Sequence, residues 1–496
     1  MTAPSGLARK SIGTGSLFFF CVGASAPLTV VAGSVVGTYA ATGVLGVPLS
    51  FLVLAGALAF FTVGYAAMAR YVRHAATFYA MLARGLGRTW GLAGGTVALL
   101  SYNCIQICLY GLLGVIFQRF VNAGSWWVWA LVAWGVVGLL GVLHINVNAR
   151  VLTVLLILEI GIIVLFDFAS FSHPKHDITL TPLSPGSLLV NGIGGVFAFG
   201  VAAFVGYESG PFYSEEARTP RVVSRASYAA LAFIGLFYAV SSWAMAVTMG
   251  VDPVGSGPDA SPGIVAAAQQ DPAPIPLEVL QQYYGGAVAK LGNLLLITSI
   301  TAAMISFHNS VARYVFGMAR ERVLPARLGH IRDGASGGAP IGGSLLQSAI
   351  ALVVILAFVV TDADPFKTLF TWLATLAAIG VMLLMFGASI AVFRFFRRVG
   401  GTGESRWQRA WAPAIGAVVL AVILAITVAN LDSLLGTAPG SPLSFIPLGI
   451  LVVAVAAGVI WARILRGSRP DIYRTIGAGE PEPLAVLEHA LANVRV

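Results

Sequence analysis

The chain is poor in charge. Only 10% of its 496 residues are Asp, Glu, Lys or Arg, while 58% are hydrophobic. A soluble domain carries about 25% charged residues, so composition excludes a soluble globular protein. Cysteine is also scarce: Cys21, Cys104 and Cys108 all lie in apolar stretches, and an odd number of such thiols makes no disulfide framework. Several motifs are missing. There is no Gly-Lys-Ser/Thr phosphate loop, no His-Glu-x-x-His and no nucleophile elbow, which removes support for ATP-driven transport and for the familiar hydrolases. His173 and His176 have no Cys or further His near them to complete a metal site, and no cofactor is implied.

What the chain has instead is apolar length. Mean hydropathy is +0.87, and windows long enough for about 30 Å of hydrocarbon fall near 15–38, 44–69, 91–118, 126–143, 150–168 and 188–213. Six more follow near 227–249, 288–312, 343–361, 368–393, 411–430 and 445–465. This pattern predicts an all-α integral membrane protein with twelve transmembrane helices in one polytopic domain, 1–496. Lipid bilayer is therefore its solvent.

The net charge of +9 and the pI near 9.6 would fit a nucleic-acid binder if the basic residues were clustered. They are sorted by side instead. With both termini cytoplasmic, only Arg119, Lys175, Lys290 and Lys367 fall outside, and every other Lys and Arg falls inside. That is the positive-inside bias, and it accounts for the basic pI without nucleic acid. The excess of Arg over Lys, with abundant Ala and Gly, points to a GC-rich bacterium and hence to its plasma membrane.

Arg9-Lys10, Leu17 to Val22 and Ala24-Ser25-Ala26 imitate a signal peptide. Because the apolar stretch runs on to Ala41 and further spans follow, this segment is expected to be a retained first helix. The longest outer connection, 250–287, carries prolines, acidic residues and Tyr283-Tyr284, and is expected to be partly ordered over the external mouth. After a short polar linker, 400–409, come peripheral helices at about 411–465 and a tail, 466–496, with a short helix at Leu484 to Val494.

Two spans contain helix breakers. Span 6 is interrupted by Gly206-Tyr207-Glu208-Ser209-Gly210-Pro211, which puts a carboxylate at a cost of roughly 2.5 to 3.5 kcal/mol into a segment that cannot stay helical. Span 1 is interrupted at Gly23-Ala24-Ser25-Ala26-Pro27. Irregular backbone at membrane depth persists where it lines a cavity or holds a ligand, and paired breaks in two halves mark a transport site. For Glu208 alone, a kinked helix with a structurally bonded carboxylate is the plainer alternative.

Three stretches resemble the amino acid-polyamine-organocation superfamily, over about residues 11–400. Phe204-Val205-Gly206-Tyr207-Glu208 with Glu215-Glu216-Ala217-Arg218-Thr219-Pro220-Arg221 is similar to that family's span 6 and its exit. Ala75-Ala76-Thr77-Phe78-Tyr79-Ala80 with Arg84-Gly85-Leu86-Gly87 is similar to its inner-gate segment. Asn309 to Arg313 with Arg320-Glu321-Arg322-Val323-Leu324-Pro325 is similar to the end of span 8. The chain departs from the pattern in having Ala24-Ser25-Ala26-Pro27 for the usual Gly-Ser-Gly or Gly-Ala-Gly, and Ala202 where relatives place a gating aromatic.

The resemblance implies a leucine-transporter-type fold of two inverted five-helix repeats, about 11–168 and 188–393, that imports amino acids by alternating access. The implied substrate site comprises Gly23, Ala24, Ser25, Ala26, Phe204, Gly206, Tyr207 and Glu208, with Phe199 and Phe204 as substitute gates. The substrate's carboxylate would meet the amides of span 1, and its ammonium the carbonyls of span 6. Amines, polyamines or exchange of two substrates remain alternatives, with Glu208 as counter-charge for an amine. A membrane enzyme or sensor would need a catalytic constellation or soluble domain, and neither is visible.

Tyr102 and Gln106 of span 3 lie one turn apart and could line the pocket or join helices. Glu159 lies nine residues beyond Arg150, about 13.5 Å along a helix, near mid-membrane. A carboxyl there could carry a proton and couple transport, bind a cation, pair with His308, or serve structurally on the broken span 1. The resemblance gives Glu159 the place of a Lys in proton-coupled relatives. His308 titrates in a useful range, or is a satisfied buried histidine.

Overall fold

A computed structural model describes residues 12–142, 145–252, 262–270, 275–331, 339–399 and 403–479, with the side chains of 145–152 excepted. It is all-helical, and its described residues hold no sheet, only a single bridge of Ile12 with Ala217. Among the described residues, eleven helices are long and apolar enough to cross a membrane. They are span 1 (Thr14–Thr42), span 2 (Val47–Met68), span 3 (Arg88–Val121), span 5 (Thr153–Ser172 within Ile145–Ser172), span 6 (Ile193–Tyr213) and span 7 (Pro220–Met249). Then come span 8 (Gly286–Arg320), span 9 (Ile341–Val360), span 10 (Pro365–Val399), span 11 (Trp407–Ala429) and span 12 (Pro442–Ser468). The twelfth expected span, the fourth in order, is the 16-residue helix Trp126–Gly141, about 24 Å long and so shorter than the hydrocarbon.

Burial separates core from periphery. In spans 1, 3 and 6, 78% of the apolar stretch is covered by protein, against 33% in span 11 and 22% in span 12. The outer faces of the last two, such as Val418, Val452 and Val453, are left for lipid. Span 12 packs along span 3, and span 11 along spans 2 and 10.

The breaks have local causes. Pro27 has no N–H for the Gly23 carbonyl, which accepts instead from Ala26 N at 3.2 Å, and Ala26 turns left-handed at φ 47°. The helix restarts at Pro27, through a π-helical stretch Val30–Val35, and ends at Thr42. In span 6 the helix Ile193–Phe204 stops because Gly206 takes φ 115°, and the chain continues as a tight 3-10 stretch, Tyr207–Tyr213, containing Pro211.

The outer connection contains two helices. Ile264–Gln270 packs on Val36–Thr42 of span 1, and Ile275–Tyr284 on spans 5 and 8. Residues 253–261 and 271–274 of that connection lie outside the described residues, as do Arg9-Lys10 and the expected helix Leu484 to Val494.

Candidate functional site at the two helix breaks

The breaks of spans 1 and 6 touch. A Cβ built on Gly206 would stand 2.8 Å from both the carbonyl carbon and the Cβ of Ala24, so only glycine allows this approach. One residue earlier in span 1 the packing opens. Gly23 is buried, yet a Cβ there would meet no heavy atom within 4 Å, so a small void lies against the inner side of the span 1 break. Ser25 faces its own backbone, its hydroxyl donating to Val22 O at 2.8 Å, and its carbonyl accepts from the Tyr238 hydroxyl at 3.1 Å.

Glu208 is the polar centre of span 6. It is buried, and one carboxylate oxygen accepts from the Tyr102 hydroxyl at 2.7 Å. The other accepts from the Gly206 amide at 2.7 Å, which caps the break with its own carboxylate. The Tyr65 hydroxyl donates to the Glu208 carbonyl at 3.2 Å. Tyr207 meets the Thr62 hydroxyl at 3.3 Å. Phe204 is buried against Phe51, Tyr207 and Tyr238 directly before the break, whereas Phe199, more than a helical turn away, is only half-buried. The Glu208 side chain thus ties the break through its own carboxyl group, and none of the described ion pairs joins it to a cation.

Tyr102 joins this centre, but Gln106 does not. Its amide donates to Tyr110 at 2.9 Å and its carbonyl oxygen accepts a short bond from Gln347 of span 9, so it links helices 3 and 9. The Glu159–His308 pair is absent. His308 Nε2 meets the Ser344 hydroxyl at 2.7 Å and fills the space beside Gly141, because its helical face looks toward spans 4 and 9. Glu159 instead faces the first break. Its polar neighbours are Ser299 and the Leu28 backbone, and neither carboxylate oxygen has a hydrogen-bond partner of good geometry.

The sequence profile of the family described as amino acid permease matches residues 16–471. The chain belongs to the amino acid permease family. An L-lysine transport protein of Corynebacterium glutamicum is 25% identical over 289 residues, which are 56% of this chain and 53% of that relative, so the match spans about half of the relative's length. Among solved structures, a manganese transporter of Eremococcus coleocola in complex with an aromatic bis-isothiourea substituted compound shares the fold at TM-score 0.56, with 12% identity over 95% of this chain and 99% of that one. A mutant of the same transporter superposes at TM-score 0.57, with 14% identity, covering 94% of this chain and 98% of its own. The permease is thus a multi-pass membrane transporter with the leucine-transporter-type architecture, not an enzyme.

At one end of the permease's bundle lies a polar network, and the sequence pattern had pointed only to its pieces. Arg313 makes two bonds to Glu216, at 3.0 and 3.1 Å, lies 4.5 Å from the Tyr213 ring centre, and is buried with its partner. Arg320 grips Glu215 at 2.8 and 2.9 Å, and Glu215 also accepts from the Ala75 amide at 3.1 Å. Glu321 accepts from Tyr79 at 2.5 Å and from the amides of Gly477 and Gly479 at 2.8 and 2.9 Å. His74 completes the set: Nδ1 accepts from the Ala76 amide at 2.9 Å, which leaves Nε2 as the donor to Glu321 at 3.0 Å. Burial would raise the Glu321 carboxyl, but the hydrogen bonds from His74, Tyr79 and the Gly479 amide outweigh it and hold it below the usual carboxylate range. Glu215 is likewise held low, burial being outweighed by the bonds and charge of Arg320 and by the Ala75 amide.

Proposed function

We propose that the permease imports amino acids across a bacterial plasma membrane by alternating access, in symport with protons, with its termini and the polar network on the cytoplasmic side. The observation carrying the substrate site is the contact of Gly206 with Ala24 beside the void at Gly23. Residues Gly23, Ala24, Ser25 and Ala26 would line the carboxylate end of the site, the Ser25 and Ala26 amides exchanging their bonds to the Val22 and Gly23 carbonyls for the substrate, while Phe204, Gly206, Tyr207, Glu208 and Tyr102 would enclose its ammonium. Gln106 would brace span 3, and Phe204 is the better placed of the two gating aromatics. Orientation rests on the concentration of Arg at the networked end.

Coupling is assigned to Glu159. It is buried beside the first break with both oxygens unpartnered, a position from which gain or loss of one proton alters the backbone that would receive substrate. His308, bonded to Ser344, would act as a helix-packing residue rather than as its partner. A second reading, that the substrate carries a cationic side chain, is favoured by the buried Glu208 carboxyl, which none of the described ion pairs joins to a cation, and the L-lysine transport protein among the relatives agrees with it.

The test is uptake into proteoliposomes of individual amino acids, polyamines and related amines, with and without an inward proton gradient. Gradient-driven accumulation of an amino acid supports the reading, and strongest accumulation of basic amino acids supports the second. Accumulation of amines alone, or an undiminished gradient response in Glu159→Gln, would refute the corresponding part.

A further inference from the structure

The segment between Glu159 and the outer end of span 5 holds a second buried acid, Asp167. It is 8% exposed, and one carboxylate oxygen accepts from the Ser241 hydroxyl of span 7 at 3.0 Å. The other oxygen is buried without a partner. One turn further, the Ser170 hydroxyl is also buried and unpartnered. Asp167 follows Glu159 by eight residues, about 12 Å along the helix axis. Asp167 turns toward span 7, where Ser241 and Tyr238 lie nearly a turn apart. Tyr238 neighbours Glu159 and donates to Ser25 at the first break. Polar groups therefore run from the outer end of span 5 to the break of span 1.

We infer that Asp167 is a proton-loading site on the external side of the permease, feeding Glu159 through the Ser241–Tyr238 edge of span 7 and intervening water. The inference rests on the proton-coupled reading above. In the loading step a proton from external water adds to the free Asp167 oxygen and the carboxylate becomes a neutral acid. In the relay step that proton passes to Glu159, so Asp167 is again ionised and Glu159 is neutral. Release from Glu159 to the cytoplasmic side closes the cycle with one proton carried inward.

The donor set fits a proton better than an alkali cation. Asp167 accepts from one serine hydroxyl, that of Ser241, and no group of three His, Cys, Asp or Glu side chains occurs among the described residues. A hard cation needs about six oxygens. The titratable groups on the elements packed around this part of span 5 are Tyr39 of span 1, Tyr238 of span 7, Lys290 of span 8, and Glu278, Tyr283 and Tyr284 of the outer helix. Lys290 is exposed, and none of the described ion pairs joins a cation to Asp167.

Two measurements test this. The wild-type permease in proteoliposomes is treated from outside with an apolar carbodiimide, which adds to protonated carboxyls in apolar surroundings, and adducts are mapped by mass spectrometry. Labelling of Asp167 that rises as external pH falls is expected; an unlabelled Asp167 across the pH range overturns the assignment. In parallel, accumulation of a mixture of radiolabelled standard L-amino acids is followed against external pH. Asp167→Asn should lower gradient-driven accumulation and flatten its pH dependence. Asp167→Glu should restore both, which a merely structural acid would not do. A wild-type pH profile in Asp167→Asn overturns the relay alone. A wild type that ignores the proton gradient overturns the coupling reading and the relay together, and dependence on external sodium does the same.

Discussion

At Gly206 two costs coincide for any other side chain. A φ of 115° strains an L-residue, and the added Cβ would press on the Ala24 backbone at 2.8 Å. Each effect is worth about 1–3 kcal/mol, so Gly206→Ala should lower the Tm in detergent and abolish uptake. Gly23→Ala should separate the two readouts. Gly23 lies in the helix Thr14–Ala24 with open space where its Cβ would go, and alanine stabilises a helix by about 1 kcal/mol over glycine. Its Tm should hold or rise while the KM for transported amino acid increases, because the methyl enters the void. A matching loss of Tm in both variants would show the void to be irrelevant to substrate.

The residue scale also marks the limit of what sequence discloses. The glycines and prolines of both breaks, and Glu208, stand out because each violates the rules of a membrane helix, and local violations are readable without coordinates. The destination of a side chain is not. Tyr102 and Gln106 share a helix face, but one turns to Glu208 and the other to Gln347, a choice set by neighbours far away in the chain. Asp167 escaped notice for the opposite reason: as an acid near the end of a span it looks like an interfacial residue, and only its burial against Ser241 distinguishes it.

At the scale of elements, the polar network ties four segments that single-sequence spacing cannot connect. Glu321 meets His74 across 247 residues and Gly477 across 156, so the stretch Arg320-Glu321-Arg322 could be recognised as a motif without any sign of its partners. The contact also gives the chain after span 12 a place. Gly477 is left-handed at φ 71°, and a Cβ there would stand 2.6 Å from Ala83, so Gly477→Ala should unseat this segment from Thr77–Leu86 and speed amide exchange in both. The pH dependence has a definite sign. Glu215 and Glu321 are held low, so their ionic contribution is complete above the usual carboxylate value, about 4.3, and is lost as pH falls through their lower folded values. Amide exchange at Ala75, Gly477 and Gly479 should therefore be pH-insensitive, after correction for intrinsic rates, down to about pH 4 and accelerate below it.

For the whole molecule, the proposed alternating access requires that one closed end open, and the network is the contact that such opening would have to break. Removing one member of a buried, hydrogen-bonded ion pair costs about 3–5 kcal/mol. If that loss falls mainly on the closed state, Glu216→Gln shifts the equilibrium toward an open networked end by more than about a hundredfold. Cys21 can report the shift. It is buried in the part of span 1 between the break and the network, 4.0 Å from the Ser209 hydroxyl, and Cys104 and Cys108 are the other cysteines of the chain. In a Cys104→Ala/Cys108→Ala background, a membrane-impermeant thiol reagent applied to the networked side should label Cys21 slowly in the otherwise native permease and much faster in Glu216→Gln or Arg313→Ala. The opposite side should show no such gain, because the network covers one mouth only. Equal labelling rates in variant and parent, together with lost uptake, would make the Arg313–Glu216 pair a structural tie rather than the closing contact of the transport cycle.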